Sequence, residues 1–388
     1  YYTPTVVGVA VLLAIIGGAV TKDWYTWIYR GLSFLVVSCP CALVVSVPLS
    51  FFAGIGSASR QGILIKGSNY LEMLDRANVF VFDKTGTLTK GNFAVTAIEP
   101  ESNKDEVLRL AAIAEHDSNH PIARSIVSCY QGEIESGYTL TNVAGFGILA
   151  TKGDDVIYCG NEKLMKSYDV KYVKQNGVGT VVYVAKNDKF IGSLLISDEI
   201  KPESKQAISE LNAMGAKTVM LTGDNEVIAA SVAQEIGLSD YKASLLPQNK
   251  VEHVEQLLSE KKKGDVLCFV GDGINDAPVL MRSDIGIAMG GVGSDAAIEA
   301  SDVVLMQDDL KGISTAKRIA KKTMRVVYEN IVGSLAVKIL IMALSATGVL
   351  GAYSMWIAVV GDVGVAIAAI LNAMRVNKGT KTTVKLEK

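Results

Sequence analysis

The 388-residue sequence predicts a multi-domain membrane protein: α-helical spans flank a large α/β insert, and a further domain interrupts that insert. Three observations predict it. Four stretches are apolar and nearly free of charge. Between the second and third, short β-rich runs alternate with helix-like runs. Two of those β-rich runs are separated by roughly a hundred residues, far too many for a loop.

The apolar stretches are Thr5 to Val20, Gly31 to Ala58, Ile331 to Leu350 and Trp356 to Met374. A hydrocarbon core takes about 20 apolar residues of helix, and each stretch approaches or exceeds that. The third carries one charge, Lys338, and the fourth one, Asp362. Buried helices of a soluble core would not stay so long without charge. The polar and aromatic segment Thr21 to Arg30 is expected to be a loop, with Trp24, Trp27 and Trp356 at the far interface. Arg60, Lys66, Lys317 to Arg325, Arg375, Lys378 and Lys381 gather at the other ends. The positive-inside rule then puts the insert and the C-terminus in the cytoplasm. The chain starts at Tyr1 without a basic n-region, so it is expected to be a piece of a longer protein rather than to carry a signal peptide.

The net charge of −2 supplies no basic field for nucleic acid. Five cysteines are too few and too scattered for a disulfide scaffold. Cys129, Cys159 and Cys268 are expected to be small packing residues in a reducing compartment.

Within the insert, strands are expected at Val79–Phe82, Val181–Ala185, Thr218–Leu221 and Val266–Val270, and helices at Lys104–Ala114, Glu203–Met214, Asn225–Ile236 and Lys250–Glu260. The alternation points to a parallel sheet. Ligands of such sheets bind at the carboxyl ends of strands. Asp83 stands at such an end and opens Asp83-Lys-Thr-Gly-Thr-Leu-Thr89. A carboxylate there can attack a phosphoryl group and form an acyl phosphate. Thr222-Gly223-Asp224 and Gly271-Asp272-Gly273-Ile274-Asn275-Asp276 follow two other strands, and Lys250 lies just past Pro247. Asp83 and Asp272 offer the hard oxygens Mg²⁺ favours. Lys250 and Thr222 can neutralise and hydrogen-bond the transferring phosphoryl. A lone Gly-Asp-Gly is an ordinary turn, but several such elements in order are not. Thr85 stands where a phosphatase of this kind needs a second aspartate as general acid and base, so the phosphorylated aspartate should persist.

These motifs resemble those of the P-type ATPases. The resemblance implies a haloacid-dehalogenase-like phosphorylation domain with an inserted α+β nucleotide-binding domain, and it runs along essentially the whole chain. It places Asp83, Thr85, Thr222, Gly223, Asp224, Lys250, Asn275 and Asp276 in the catalytic machinery, with ATP and Mg²⁺ as cofactors. The expected organisation is two transmembrane helices in 1–58, a phosphorylation domain from 59–90 and 198–328, a nucleotide-binding domain in 91–197, two transmembrane helices in 329–376 and a cytoplasmic tail in 377–388. In the insert, Glu115, His120 with Pro121, Gly145 with Gly147, and Gly160 with Asn161 look like the ATP site of the heavy-metal-transporting branch. Asn119 and the Gln-Asn pair before Lys250 stand where that family usually has acidic residues.

Cys39-Pro40-Cys41 lies in the middle of the second apolar stretch. A proline there frees backbone carbonyls, and two thiolates are soft ligands. Asp362 adds a third negative charge, which suits a divalent borderline ion. Lys338 would balance the site once that ion has left. Asn330 with Lys338, and Asp362-Val-Gly364, resemble the subgroup that exports Zn²⁺, Cd²⁺ or Pb²⁺ across the plasma (inner) membrane. Met342, Met355 and Met374 are expected to be packing residues. The alternatives are a Cu⁺ exporter and a membrane-anchored phosphatase of the dehalogenase type. No Thr-Gly-Glu loop of the family's actuator domain occurs, nor do its earlier spans. The stretch is expected to phosphorylate without completing the cycle alone.

Overall fold

The computed structural model describes the chain except residues 1, 39–40, 176, 178, 273–275, 291–294, 348, 350–352 and 378–388, and except the side chains of 2–3, 37, 41, 247, 295–297, 345–347, 354–355 and 358. It divides into two compact units. One comprises Tyr1–Ala77, Asp302–Met306 and Gly312–Lys388; the other comprises Asn78–Ser301 and Gln307–Lys311.

The first unit is helical. Tyr2–Thr21, Trp24–Ser38, Cys41–Ser59, Lys311–Thr347 and Ser354–Met374 are its long helices. Among the described residues, four segments are long and apolar enough to span a bilayer: Pro4–Thr21, Ala42–Ser59, Lys311–Leu344 and Val359–Asn377. The expected loop at Thr21 to Arg30 shrinks to a turn. Asp23 accepts from the Thr26 amide at 3.2 Å and starts a helix at Trp24, so both tryptophans are helical. Within the second apolar stretch one helix is described to Ser38 and another from Cys41, on either side of residues 39–40. The 37-residue helix Lys311–Thr347 is far longer than a bilayer requires. Its first turns carry the basic run Lys317 to Arg325. There Lys317 donates to the carbonyls of Asp75 and Ala77 and closes the C-terminus of helix Ser68–Arg76. Gly54 lets that helix approach: a Cβ there would come 2.5 Å from Thr323 Oγ1 and 2.7 Å from Leu71.

The second unit holds two layers of different construction. In the first, strands Ile285–Met289, Val266–Gly271, Ala77–Asp83, Lys217–Leu221 and Asp240–Lys242 lie side by side in that order. Ala77–Asp83 pairs in parallel with Lys217–Leu221, as Val266–Gly271 does with Ile285–Met289. Helices Pro247–Glu260 and Ala277–Arg282 pack Val254, Val279 and Leu280 against Val81, Val219, Leu267 and Phe269. Near-continuous apolar runs suit strands covered on both faces. Phe80, Phe82 and Phe269 are fully buried, each worth about 1.5–3 kcal/mol.

The second layer is an antiparallel sheet in the order Thr89–Glu99, Lys189–Ile200, Thr180–Lys186, Asp155–Gly160, Gly147–Lys152 and Thr139–Val143. Val181–Ala185, taken above with the parallel sheet, belongs here. Helices Lys104–Glu115 and Pro121–Cys129 cover one face through Leu110, Ile113 and Ile126. Leu164, Met165 and Val170 cover the other. Both long strands, Thr89–Glu99 and Lys189–Ile200, run back to the Asp83 region. There Lys201 N and Ser204 Oγ donate to Leu88 O at 3.1 and 2.7 Å.

Candidate functional site

Asp83 ends its strand among the carboxylates that follow a neighbouring one. Carboxylate oxygens of Asp83, Asp272 and Asp276 lie within 4.8 Å of one another. Lys250 ties two of them together, donating to Asp83 Oδ1 at 2.5 Å and to Asp276 Oδ1 at 3.0 Å. Burial and the Asp276 charge, against the pull of Lys250, push Asp83 up to about 7. Asp272 is raised too, by burial and then by Asp276. Burial pulls Lys250 down, but Asp83 and Asp276 outweigh it and hold the ammonium charged. Crowded, half-desolvated carboxylates of this kind suit a hard divalent cation. Asp83 and Asp272 would hold Mg²⁺, with Asp276 beside them.

The turn after Asp83 is shaped to admit this arrangement. Gly86 sits at φ +75°, and a Cβ there would stand 1.6 Å from Asp272 Oδ2. Thr85 is exposed in the same turn. Thr222 is buried, and its hydroxyl oxygen accepts from the Asp224 amide at 3.1 Å, which leaves its own proton free to be donated. Gly223 is exposed at the strand end. Asn275 lies outside the described residues.

Sequence reasoning assigned no role to the residue after Asp83. Lys84 is buried, pairs with Asp224 and lies 3.8 Å from Asp198. Thr89 Oγ1 bonds Asp198 Oδ2 at 2.5 Å. Burial raises Asp198 against the Thr89 bond and the Lys84 charge. Lys84 thus links the Asp83 turn, the Thr222 turn and the returning strand Lys189–Ile200. Its place inside the Asp83 motif was the only available signal.

The antiparallel layer carries a cleft of about 410 Å³, within the range of small-ligand pockets. Glu115, His120, Gly145, Gly147, Gly160 and Asn161 all line it. His120 caps helix Pro121–Cys129: its Nδ1 accepts from Ile122 N at 3.3 Å, so the neutral ring carries its proton on Nε2. Asn161 caps the next helix through Oδ1, and its Nδ2 holds Gly145 O at 2.8 Å. Gly145 has φ +77° with nothing near its Cβ position, open to the cleft. Gly147 and Gly160 have a different reason. They face each other across two strands, and a Cβ on Gly147 would fall 2.3 Å from Cys159 O. Backbone crowding by itself requires glycine at both positions, which also line the cleft. Glu115 is buried, which raises its pKa, and accepts from the Cys159 thiol. Cys159 and Cys268 are buried as expected; Cys129 is exposed.

In the helical unit, Lys338 and Asp362 meet at 2.5 Å, with Lys338 only 4% exposed. One turn or more away, Asn330 donates to Ala369 O at 3.1 Å and accepts from Asn372 at 3.0 Å. The hydroxyls of Ser46 and Ser334 are buried without a partner among the described residues. Cys39 lies outside the described residues, as does the side chain of Cys41.

Residues 77–284 match the family described as haloacid dehalogenase-like hydrolase. The chain is 49% identical over 97% of its length to a cadmium, zinc and cobalt-transporting ATPase of Bacillus subtilis (strain 168), of which it covers 54%. It superposes on the crystal structure of a zinc-transporting PIB-type ATPase in an E2.Pi state with a TM-score of 0.86 at 36% identity, covering 97% of this chain and 62% of that one. It also matches the catalytic domain of the CPx-ATPase CopB-B, solved for its conformational changes upon nucleotide binding, with a TM-score of 0.54 at 28% identity, over 68% of this chain and 98% of that one. The chain thus spans about half the length of the curated relatives it matches. With its Asp83 site built on a parallel sheet and its candidate spans on either side, the chain belongs to the haloacid dehalogenase-like hydrolases and is similar along almost its whole length to metal-transporting P-type ATPases.

Proposed function

We propose that this chain is the phosphorylated, ion-binding part of an ATP-driven exporter of a divalent soft or borderline metal, Zn²⁺, Cd²⁺ or Pb²⁺, embedded as a multi-pass protein in the plasma (inner) membrane with its insert and C-terminus in the cytoplasm. ATP lies in the cleft beside Glu115 and His120. An Asp83 oxygen attacks its γ-phosphorus, the bond to the bridging oxygen breaks, and ADP leaves an acyl phosphate on Asp83. Lys250 offsets the charge gathering on the phosphoryl oxygens, and the free Thr222 proton is donated to one of them. Asp83 and Asp272 would hold Mg²⁺, which would supply further charge neutralisation. Thr85 has no acid–base group to offer water, so the phosphoenzyme persists. Its hydrolysis falls to an actuator domain and further spans outside this stretch.

The ion enters among Cys39, Cys41 and Asp362. Two thiolates and a carboxylate balance a divalent ion and one lysine. The observation that carries this reading is the pairing of buried Lys338 with half-buried Asp362. Ionisable side chains inside a span are costly and mark ion paths, and here a lysine and an acid neutralise each other. Metal-stimulated ATP hydrolysis by the full-length protein tests it. Zn²⁺ or Cd²⁺ should stimulate, and Cys39→Ala or Asp362→Ala should abolish the stimulation. Stimulation by Cu⁺ and not Zn²⁺ would overturn the choice of ion. Unchanged hydrolysis in both variants would make the chain a phosphatase.

A further inference from the structure

Glu115 ends helix Lys104–Glu115 at the wall of the cleft, 8% exposed. Cys159 is fully buried in strand Asp155–Gly160, immediately before Gly160. Its Sγ donates to Glu115 Oε1 at 3.7 Å, an ordinary distance for a sulfur donor. Among the described residues no other side chain bonds that carboxylate, and burial raises its pKa while the thiol bond opposes the rise. A buried carboxylate with no donor is costly and free to turn toward any other. Beside Cys159 stand its cross-strand neighbours Ile148 and Val184 and, on its own strand, Ile157, apolar side chains that require only bulk at this position. A thiol there does what an aliphatic side chain of the same size cannot: it occupies Oε1 and leaves Oε2 for a ligand N–H.

We propose that Cys159 is a positioning residue of the nucleotide site, its S–H fixing the Glu115 carboxylate so that the remaining oxygen accepts the exocyclic amine of a purine. This rests on the cleft being the ATP site. The contact is a hydrogen bond only; no thiol chemistry is involved. It predicts an effect on nucleotide capture and none on the chemistry at Asp83.

The test follows phosphorylation of the full-length protein at varied ATP. Cys159→Ala and Cys159→Val lack a donor and bracket the thiol in volume. Both should raise KM for ATP about fivefold, with the rate at saturating ATP unchanged, because a weak donor to a charged group is lost. Cys159→Ser keeps a donor and should stay near the wild-type KM. If Ala and Val keep the wild-type KM, or if Ser loses as much as they do, the thiol only fills space and the proposal is overturned. Glu115→Ala separates the two ideas. A raised KM there with unaltered Ala and Val variants at 159 retains the ATP site and removes the role of Cys159. An unaltered KM in Glu115→Ala removes the ATP site from this cleft and the proposal with it.

Discussion

Gly86→Ala is the smallest change that should separate folding from chemistry. Gly86 sits at φ +75°, a conformation that costs an L-residue about 1–2 kcal/mol. The added methyl would stand 1.6 Å from Asp272 Oδ2 and 2.5 Å from its Cγ. Real contacts of that type do not fall below about 3 Å, so the Asp272 carboxylate must retreat by more than an ångström. The parallel sheet beneath is packed by Phe80, Phe82 and Phe269 and does not depend on Asp272. Stability should therefore fall by only about 1–2 kcal/mol. Phosphorylation should fall much further, because a misplacement of about 1 Å can cost a hundredfold in rate. The assay is the initial rate of label transfer from γ-labelled ATP to the protein, taken over a Mg²⁺ series, beside a thermal melt. The variant should be slower by about a hundredfold and need more Mg²⁺. A near wild-type rate with the same Mg²⁺ dependence would refute the placing of Asp272 beside the Asp83 turn.

Other substitutions probe the remaining parts. Lys250→Ala leaves Asp83 and Asp276 facing each other without their shared cation; labelling should be lost, and chemical denaturation should show a loss of about 3–5 kcal/mol in the absence of Mg²⁺. Part of that loss should return when Mg²⁺ is added. Burial holds Glu115 above its ordinary 4.5, so its contribution to stability is complete below that value and fades as pH rises through the raised one. Glu115→Gln should therefore raise the melting temperature at pH 8, give no gain near pH 4, and weaken ATP binding throughout. An equal gain at both pH values would contradict the buried, raised carboxylate.

The Asp83 strand was legible because its signal is local: an apolar, aromatic run that stops at an aspartate and a glycine-containing turn. The spans were legible for a similar reason, since lack of charge over a helix length has few other uses. What was not legible depends on pairing between distant residues. The Lys84 link to Asp224 and Asp198 joins three elements far apart in sequence. The crowding of Gly147 against Gly160 exists only once two strands are in register. The helix beginning at Trp24 was hidden because its first turn is polar and aromatic, and Asp23 caps it. Val181–Ala185 has the composition of either kind of sheet, and only its neighbours decide which.

The central claim is that the ion site in the spans governs phosphorylation of Asp83. Its most direct measurement is acid-stable label from γ-labelled ATP on the full-length protein, with and without Zn²⁺, in wild type, Asp83→Asn and Asp362→Asn. The account predicts Zn²⁺-dependent label in wild type, none in Asp83→Asn, and no response to Zn²⁺ in Asp362→Asn. Label that persists in Asp83→Asn, or that responds to Zn²⁺ without Asp362, would contradict it.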